Sequence, residues 1–173
     1  MSATHHCIVR EERPGERPWV RSINEAAFGR PVEANLVERL GSENVVLASL
    51  VAVQESELVG HILFSRMWIQ TCHELIPTVA LAPMAVLPRR QRSGIGGEMI
   101  RCGLALLRQR GEGIVVVLGH PDYYPRFGFS SDKARALESP FPAEALMALE
   151  LKPGALGGVS GRVKYPAAFG LQS

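Results

Sequence analysis

Ala80-Leu-Ala-Pro-Met84-Ala-Val-Leu-Pro88-Arg-Arg-Gln-Arg92-Ser-Gly94-Ile-Gly96-Gly97 is the stretch on which the reading of this chain turns. An apolar run of one strand's length stops at Pro88, passes through Arg89, Arg90, Gln91 and Arg92, and enters a glycine turn followed by helical periodicity. Glycines lack Cβ and let a backbone approach a ligand closely; the unpaired N–H groups of a helix start converge with the positive end of its dipole. The pattern predicts an anion cradle suited to a phosphate or diphosphate. A tight strand-to-helix turn with solvated arginines fits the same residues, so the surroundings have to decide.

Two familiar phosphate motifs do not match. A P-loop needs Lys and then Ser or Thr after its last glycine, where this chain has Glu98 and Met99. The dinucleotide fingerprint needs a third Gly or Ala at Met99 and belongs at a first βα turn, whereas here two helices and three strands come before.

Outward from the turn, Ile95, Met99, Cys102 and Leu106 recur at helical spacing, Ile100, Gly103 and Leu107 widen the stripe, and Gly111 and Gly113 close the helix. Ile114 to Leu118 is a continuous apolar run, the pattern of a strand covered on both faces. Gly119 to Phe129 reads as a turn into a short helical piece bounded by Pro121 and Pro125. Upstream, Cys7 to Glu12 suits an opening strand, Arg17 to Phe28 a helix, and Pro31 to Gly41 a second short helix. Val45 to Gln54 and Leu58 to Trp68 read as an antiparallel hairpin turning at Glu55 to Glu57; Thr71 to Pro77 breaks the pattern before a strand at Thr78 to Leu87. Ala145 to Leu151 and Val159 to Tyr165 are the last two candidate strands.

With 173 residues, 46% hydrophobic and 21% charged, the whole chain, 1–173, reads as one α/β domain rather than a disordered or coiled-coil protein. A net charge of +2 is too small to make nucleic acid the expected partner. The odd set Cys7, Cys72 and Cys102 offers neither a disulfide framework nor zinc-ligand spacing, which favours a cytoplasmic setting. His5 and His6 stand without further ligands, so no metal is expected. The N-terminus has no signal-like apolar stretch, and Val79 to Leu87 is too short to span a bilayer, so no membrane association is expected.

The order strand, two helices, hairpin, strand, glycine loop, helix, strand resembles the GNAT superfamily of N-acetyltransferases. Gln91, Gly94 and Gly96 fill that family's Q/R-x-x-G-x-G/A signature, and Met84 to Pro88 looks like the end of its fourth strand. The segment Tyr124-Pro125-Arg126-Phe127-Gly128-Phe129 is similar to the family's aromatic residue before a Gly-Phe pair. The run Gly119 to Tyr124 and the stretch around Met147 to Leu151 resemble a bacterial subgroup described as predicted acetyltransferases.

The resemblance implies a mixed, mostly antiparallel sheet flanked by helices, with acetyl-CoA as co-substrate. It implies cofactor contacts from Met84, Ala85, Val86, Gln91, Arg92, Ser93, Gly94, Ile95, Gly96 and Gly97. The implied reaction is direct attack of a primary amine on the thioester, an oxyanion held by an N–H near Ala85 or Val86, and Tyr124 as acid to the leaving sulfur. Tyr124 also reads as a buried structural aromatic, and Tyr123 rivals it for either role. His120 and His61 are candidates for the base, with an ordinary structural histidine the favoured reading of each. Glu33, Glu38 and Glu74 could attract a cationic amine or simply face solvent. A homodimer sharing C-terminal strands stays open, and so does a CoA-binding module that keeps the fold without turnover.

Overall fold

The structure, a computed structural model, describes residues 6–171. Strand β1 (Cys7–Glu11) is followed by helices α1 (Arg17–Phe28) and α2 (Val32–Ser42), then β2 (Val46–Gln54), β3 (Glu57–Gln70) and β4 (Leu75–Val86). Helix α3 (Ile95–Gln109) leads to β5 (Ile114–Leu118), and β6 (Leu137–Glu138), β7 (Leu146–Glu150) and β8 (Gly161–Lys164) complete one sheet. Its main path runs β1-β2-β3-β4-β5-β7, with β8 joined to the far end of β3 and β6 beside β8. All pairings are antiparallel except β4 with β5 and β6 with β8, giving the mixed, mostly antiparallel sheet expected.

Strand alternation divides the core in two. Ile62, Phe64, Val115 and Val117 face α3, where they pack with Met99, Ile100, Leu104 and Leu107. Val51 and Leu63 point the other way, onto Val20 of α1 and Val37 and Leu40 of α2. Farther along that second face, Met67, Ile69, Ile114 and Val116 are covered by Ala134, Leu137 and Val163 of the C-terminal third. β5 is therefore buried on both sides, which is why its sequence shows no polar alternation. Gly103, in the middle of α3, admits the ring of Phe64: a Cβ there would stand 2.3 Å from that ring.

Two expectations about strands need correction. β4 begins at Leu75 rather than Thr78, and only Thr71 to Glu74 turn, held by Thr71 N–H to the Glu74 carbonyl at 2.9 Å. Pro77 is tolerated because β4 pairs there with β3 alone; its pairing with β5 starts at Val79, so the missing N–H faces no neighbour on that side. The last strand is shorter than Val159 to Tyr165, starting at Gly161, and the two-residue β6 has no counterpart in the sequence reading.

Candidate active site

The parallel pairing of β4 with β5 lasts three residues, Val79 with Val115 to Leu81 with Val117, and then the strands part. The cause lies in the register. From Ile62–Met84 to Phe64–Leu81, β4 uses three steps where β3 uses two, so β4 carries a bulge around Ala82 and Pro83 that bends it away. β5 meanwhile stays with β7 through Leu118–Leu146, and Gly119 N–H donates to the Ala145 carbonyl at 3.0 Å. A gap opens between Met84–Val86 and the end of β5.

Backbone direction decides which groups face that gap. Leu87 N–H donates to the Val59 carbonyl at 2.9 Å. Directions alternate along an antiparallel ladder, so Ala85 also points at β3, while the N–H and C=O of Met84 and Val86 point into the gap. The Val86 carbonyl is taken by Gln91, whose Nε2 donates to it at 3.0 Å and fastens the following turn to the strand. Of the two positions expected to offer an oxyanion donor, Val86 turns its N–H to the gap and Ala85 does not; Ala85 is buried on the other face, opposite His61.

The turn itself runs through a short 3-10 segment at Pro88–Arg90, a left-handed Arg92 (φ 59°) and a left-handed Gly94 (φ 88°) that opens α3. No side chain caps this helix start, leaving the N–H groups of Ile95, Gly96 and Gly97 directed outward. A Cβ on Gly96 would sit 3.0 Å from the Tyr123 hydroxyl, and one on Gly97 3.3 Å from the Phe127 ring, so only glycine keeps the space beneath these aromatics clear. Together these groups line a cleft of about 610 Å³.

Of the sequence-derived cofactor residues, Met84, Val86, Gln91, Arg92, Gly94, Ile95, Gly96 and Gly97 line the cleft; Ala85 and Ser93 do not. The Ser93 hydroxyl donates instead to the Arg90 carbonyl inside the turn. Arg90, Arg101, Tyr123, Arg126 and Phe127 join the lining. Arg101 was legible as the residue one helical turn after Gly97, but its place outside the apolar stripe reads as solvent-facing.

Electrostatics separates the arginines. Arg89 pairs with Glu57, and Arg90 with Glu55 at 3.4 Å, although the Arg90 Nε–H is buried without a partner. Arg92, Arg101 and Arg126 make no ion pair among the described residues. Arg101 lies 5.2 Å over the Phe127 ring and Arg126 5.0 Å over Tyr123, stacking that orients both cations. Uncapped amides, an orphaned guanidinium N–H and unpaired cations form a donor set that suits a diphosphate carrier.

Tyr124 stands outside this lining, beside Gly119 at the end of β5. Its ring packs on Gly119, where a Cβ would come within 2.2 Å, and meets Tyr123 and Phe129 edge to face. Burial pushes its hydroxyl up to about 12. His61 is wholly buried and both ring nitrogens are engaged: Nδ1 with Asn24 Nδ2 at 3.1 Å, Nε2 with Ser49 Oγ at 2.9 Å. Ser49 donates onward to Glu12, and Glu12 pairs with Arg17 at 2.9 Å. Ser49 must therefore accept from Nε2–H, leaving Nδ1 to accept from Asn24. Burial, helped by the Arg17 charge, lowers the imidazole to about 3, so His61 is a structural histidine and not the base.

His120 is exposed just past β5, with its carbonyl accepting the Tyr123 N–H at 3.1 Å; Asp122 gives no side-chain cap to the segment that follows. Glu33 and Glu38 are held by Arg30 and Arg21, and Glu74 is exposed in its turn. His5 lies outside the described residues. Among those described, no cluster of His, Cys, Asp or Glu is arranged to hold a metal, the three cysteines are unpaired, and no helix is long and apolar enough to cross a membrane.

Comparison with known proteins identifies the family. The model of the acetyltransferase (GNAT) domain matches residues 9–131. The N-acetyltransferase YjhQ of Escherichia coli K12 is 37% identical over 145 residues, covering 81% of this chain and 80% of that protein. The E. coli N-acetyltransferase YhbS is 31% identical over 165 residues, 94% and 98% of the two chains. The crystal structure of YhbS in complex with CoA superposes with a TM-score of 0.90 at 28% identity, over 100% of this chain and 97% of that one. A GNAT family acetyltransferase from Brucella melitensis in complex with acetyl-CoA gives 0.80 at 35% identity, over 95% and 99%.

Proposed function

Because the chain belongs to the GNAT acetyltransferase family and is an acetyl-CoA-dependent N-acetyltransferase, we propose that it moves the acetyl group onto a primary amine by direct attack, without an acyl-enzyme intermediate. The parting of β4 from β5 beside an uncapped helix start carries this reading. The amides of Gly96 and Gly97, with Arg92, Arg101 and Arg126, hold the diphosphate end of the carrier. The gap-facing backbone of Met84 and Val86 meets its amide-bearing arm as an added strand would. Acetyl-CoA supplies an activated carbonyl and a thiolate leaving group.

The chain's own residues then have three tasks. The Val86 N–H, fixed in the gap, donates to the carbonyl oxygen and strengthens as charge develops on it. Tyr124, at the opposite lip, donates its O–H to the departing sulfur. A hydroxyl near 12 is a weaker acid than a thiol of about 8.5, so it acts through placement and through staying protonated, not through driving force. Tyr123, over Gly96, serves the diphosphate end instead. A neutral amine loses one N–H proton as the amide forms and the departing sulfur gains one from Tyr124, whose hydroxyl is refilled from solvent; an amine that arrives as ammonium gives up one further proton to solvent beforehand.

Tyr124→Phe tests the assignment. It should lower kcat about 100-fold while CoA affinity by calorimetry stays within twofold. A wild-type rate would remove Tyr124 from the chemistry. Carrier bound with no thiol released across a broad amine panel would reduce the protein to a binding module.

A further inference from the structure

One flank of α3 lies along the edge strand β1, and the seam between them holds two half-buried cysteines that acetyl transfer does not use. We propose that Cys7 and Cys102 form a dithiol that closes to a disulfide on exchange with a small-molecule disulfide such as oxidised glutathione, and that the neighbouring Glu98 sets how fast it closes.

Register places the two thiols. Cys7 and Val9 of β1 pack against the same core cluster as Cys102 and Leu106 of α3, so Cys7 faces the helix. The row Val9, Ala52, Gly60, Val86 crosses the sheet beside the turn that leads into α3. Strand and helix therefore start at the same end of the sheet and run in parallel. Their far ends are tied: Arg110, at the close of α3, donates to the Glu11 carboxylate at 2.5 Å and to the Leu47 carbonyl at 2.6 Å. Back from that tie, Cys102 stands eight residues along the helix, about 12 Å at a helical rise. Cys7 stands four residues along the strand, about 13 Å at an extended rise. The two thiols come level.

Electrostatics joins them into one site. The Cys102 thiol donates to the Glu98 carboxylate at 3.7 Å. Burial raises both thiols, the Glu98 charge raises each further, and Cys7 adds to the rise at Cys102. Such thiols hold few thiolates at neutral pH, so they exchange slowly there. Closure takes two steps: one protein thiolate attacks oxidised glutathione and expels a glutathione thiolate, and the second then attacks the mixed disulfide and expels the other glutathione. The protein loses two S–H bonds and gains one S–S bond, and the two glutathione thiols leave with the protons. The bridge staples the open end of a seam whose other end Arg110 and Glu11 already hold.

Cys72, exposed in the turn between β3 and β4 at the opposite end of the sheet, is an internal control. The full chain, incubated with oxidised glutathione in mildly alkaline buffer and mapped by mass spectrometry without reductant, should carry a Cys7–Cys102 crosslink lighter by two hydrogens and a glutathione adduct on Cys72. The crosslink closes a long loop of the unfolded chain and should raise the melting temperature by about 5 °C or more. Cys102→Ser should leave Cys7 uncrosslinked and abolish that rise. Glu98→Gln should speed closure about threefold or more at neutral pH by lowering both thiols. Separate glutathione adducts on Cys7 and Cys102, a bridge to Cys72, or both thiols still free once Cys72 has reacted overturns the dithiol. An unchanged rate in Glu98→Gln overturns the part given to Glu98.

Discussion

His61 and the start of α3 both bring hydrogen-bonding groups against the sheet, on opposite faces, and they end in opposite states. Around His61 each ring nitrogen has a partner and the chain of bonds runs on through Ser49 to Glu12. At the start of α3 no side chain caps the amides, and three neighbouring arginines lack carboxylates among the described residues. The first arrangement commits both imidazole nitrogens inside the protein, leaving only the Asn24 Oδ1 without a partner; the second holds its donors open for something else. Unspent donors, more than residue type, separate the site from the scaffold here.

The sharpest break of this contrast is Gly96→Glu. A carboxylate among the open amides, with its Cβ crowding the Tyr123 hydroxyl, should cut CoA affinity by about 100-fold or more in calorimetry with little change in melting temperature. Unchanged affinity would show that the amides bind nothing. Next, His61→Ala should destabilise the fold by about 2–4 kcal/mol in urea denaturation, because it leaves a cavity and strips Ser49 and Asn24 of their partner. CoA affinity should not move, and a parallel loss would join the two regions that the comparison keeps apart.

Acid sharpens the same point. Between pH 6.5 and about 3 the unfolded chain protonates His61 while the folded chain does not, so stability falls as pH falls through that window. The slope from this group is at most about 1.4 kcal/mol per pH unit, and His61→Ala should flatten the wild-type curve by up to one proton. Identical slopes would place the imidazole in contact with water. The smallest effects belong to single arginines. Arg101→Gln or Arg126→Gln should weaken CoA about 3- to 10-fold, less at high salt, whereas Arg89→Gln, whose exposed guanidinium already has Glu57, should change it less than twofold. Equal losses at all three positions would dissolve the distinction between paired and unpaired cations.

Much of this was legible in the chain itself. α1 was readable end to end because Pro18 at its first turn and Gly29 beyond its last mark both limits. The glycine turn and the β5 run were equally plain, since both depend on neighbouring residues. What stayed hidden depends on partners distant in sequence. The bulge in β4 is a mismatch of count against β3, invisible without the pairing. His61 draws its meaning from Asn24 and Ser49, on two other elements. Arg101 and Arg126 gain theirs from the rings beneath them. Residues 131–145, which cover part of the sheet face away from α3, carry almost no periodicity, being held by isolated turns and a two-residue strand.

One surplus residue in β4 thus parts it from β5 after only three paired residues. A parting set by backbone count, not by side-chain shape, survives repacking of the surfaces around it.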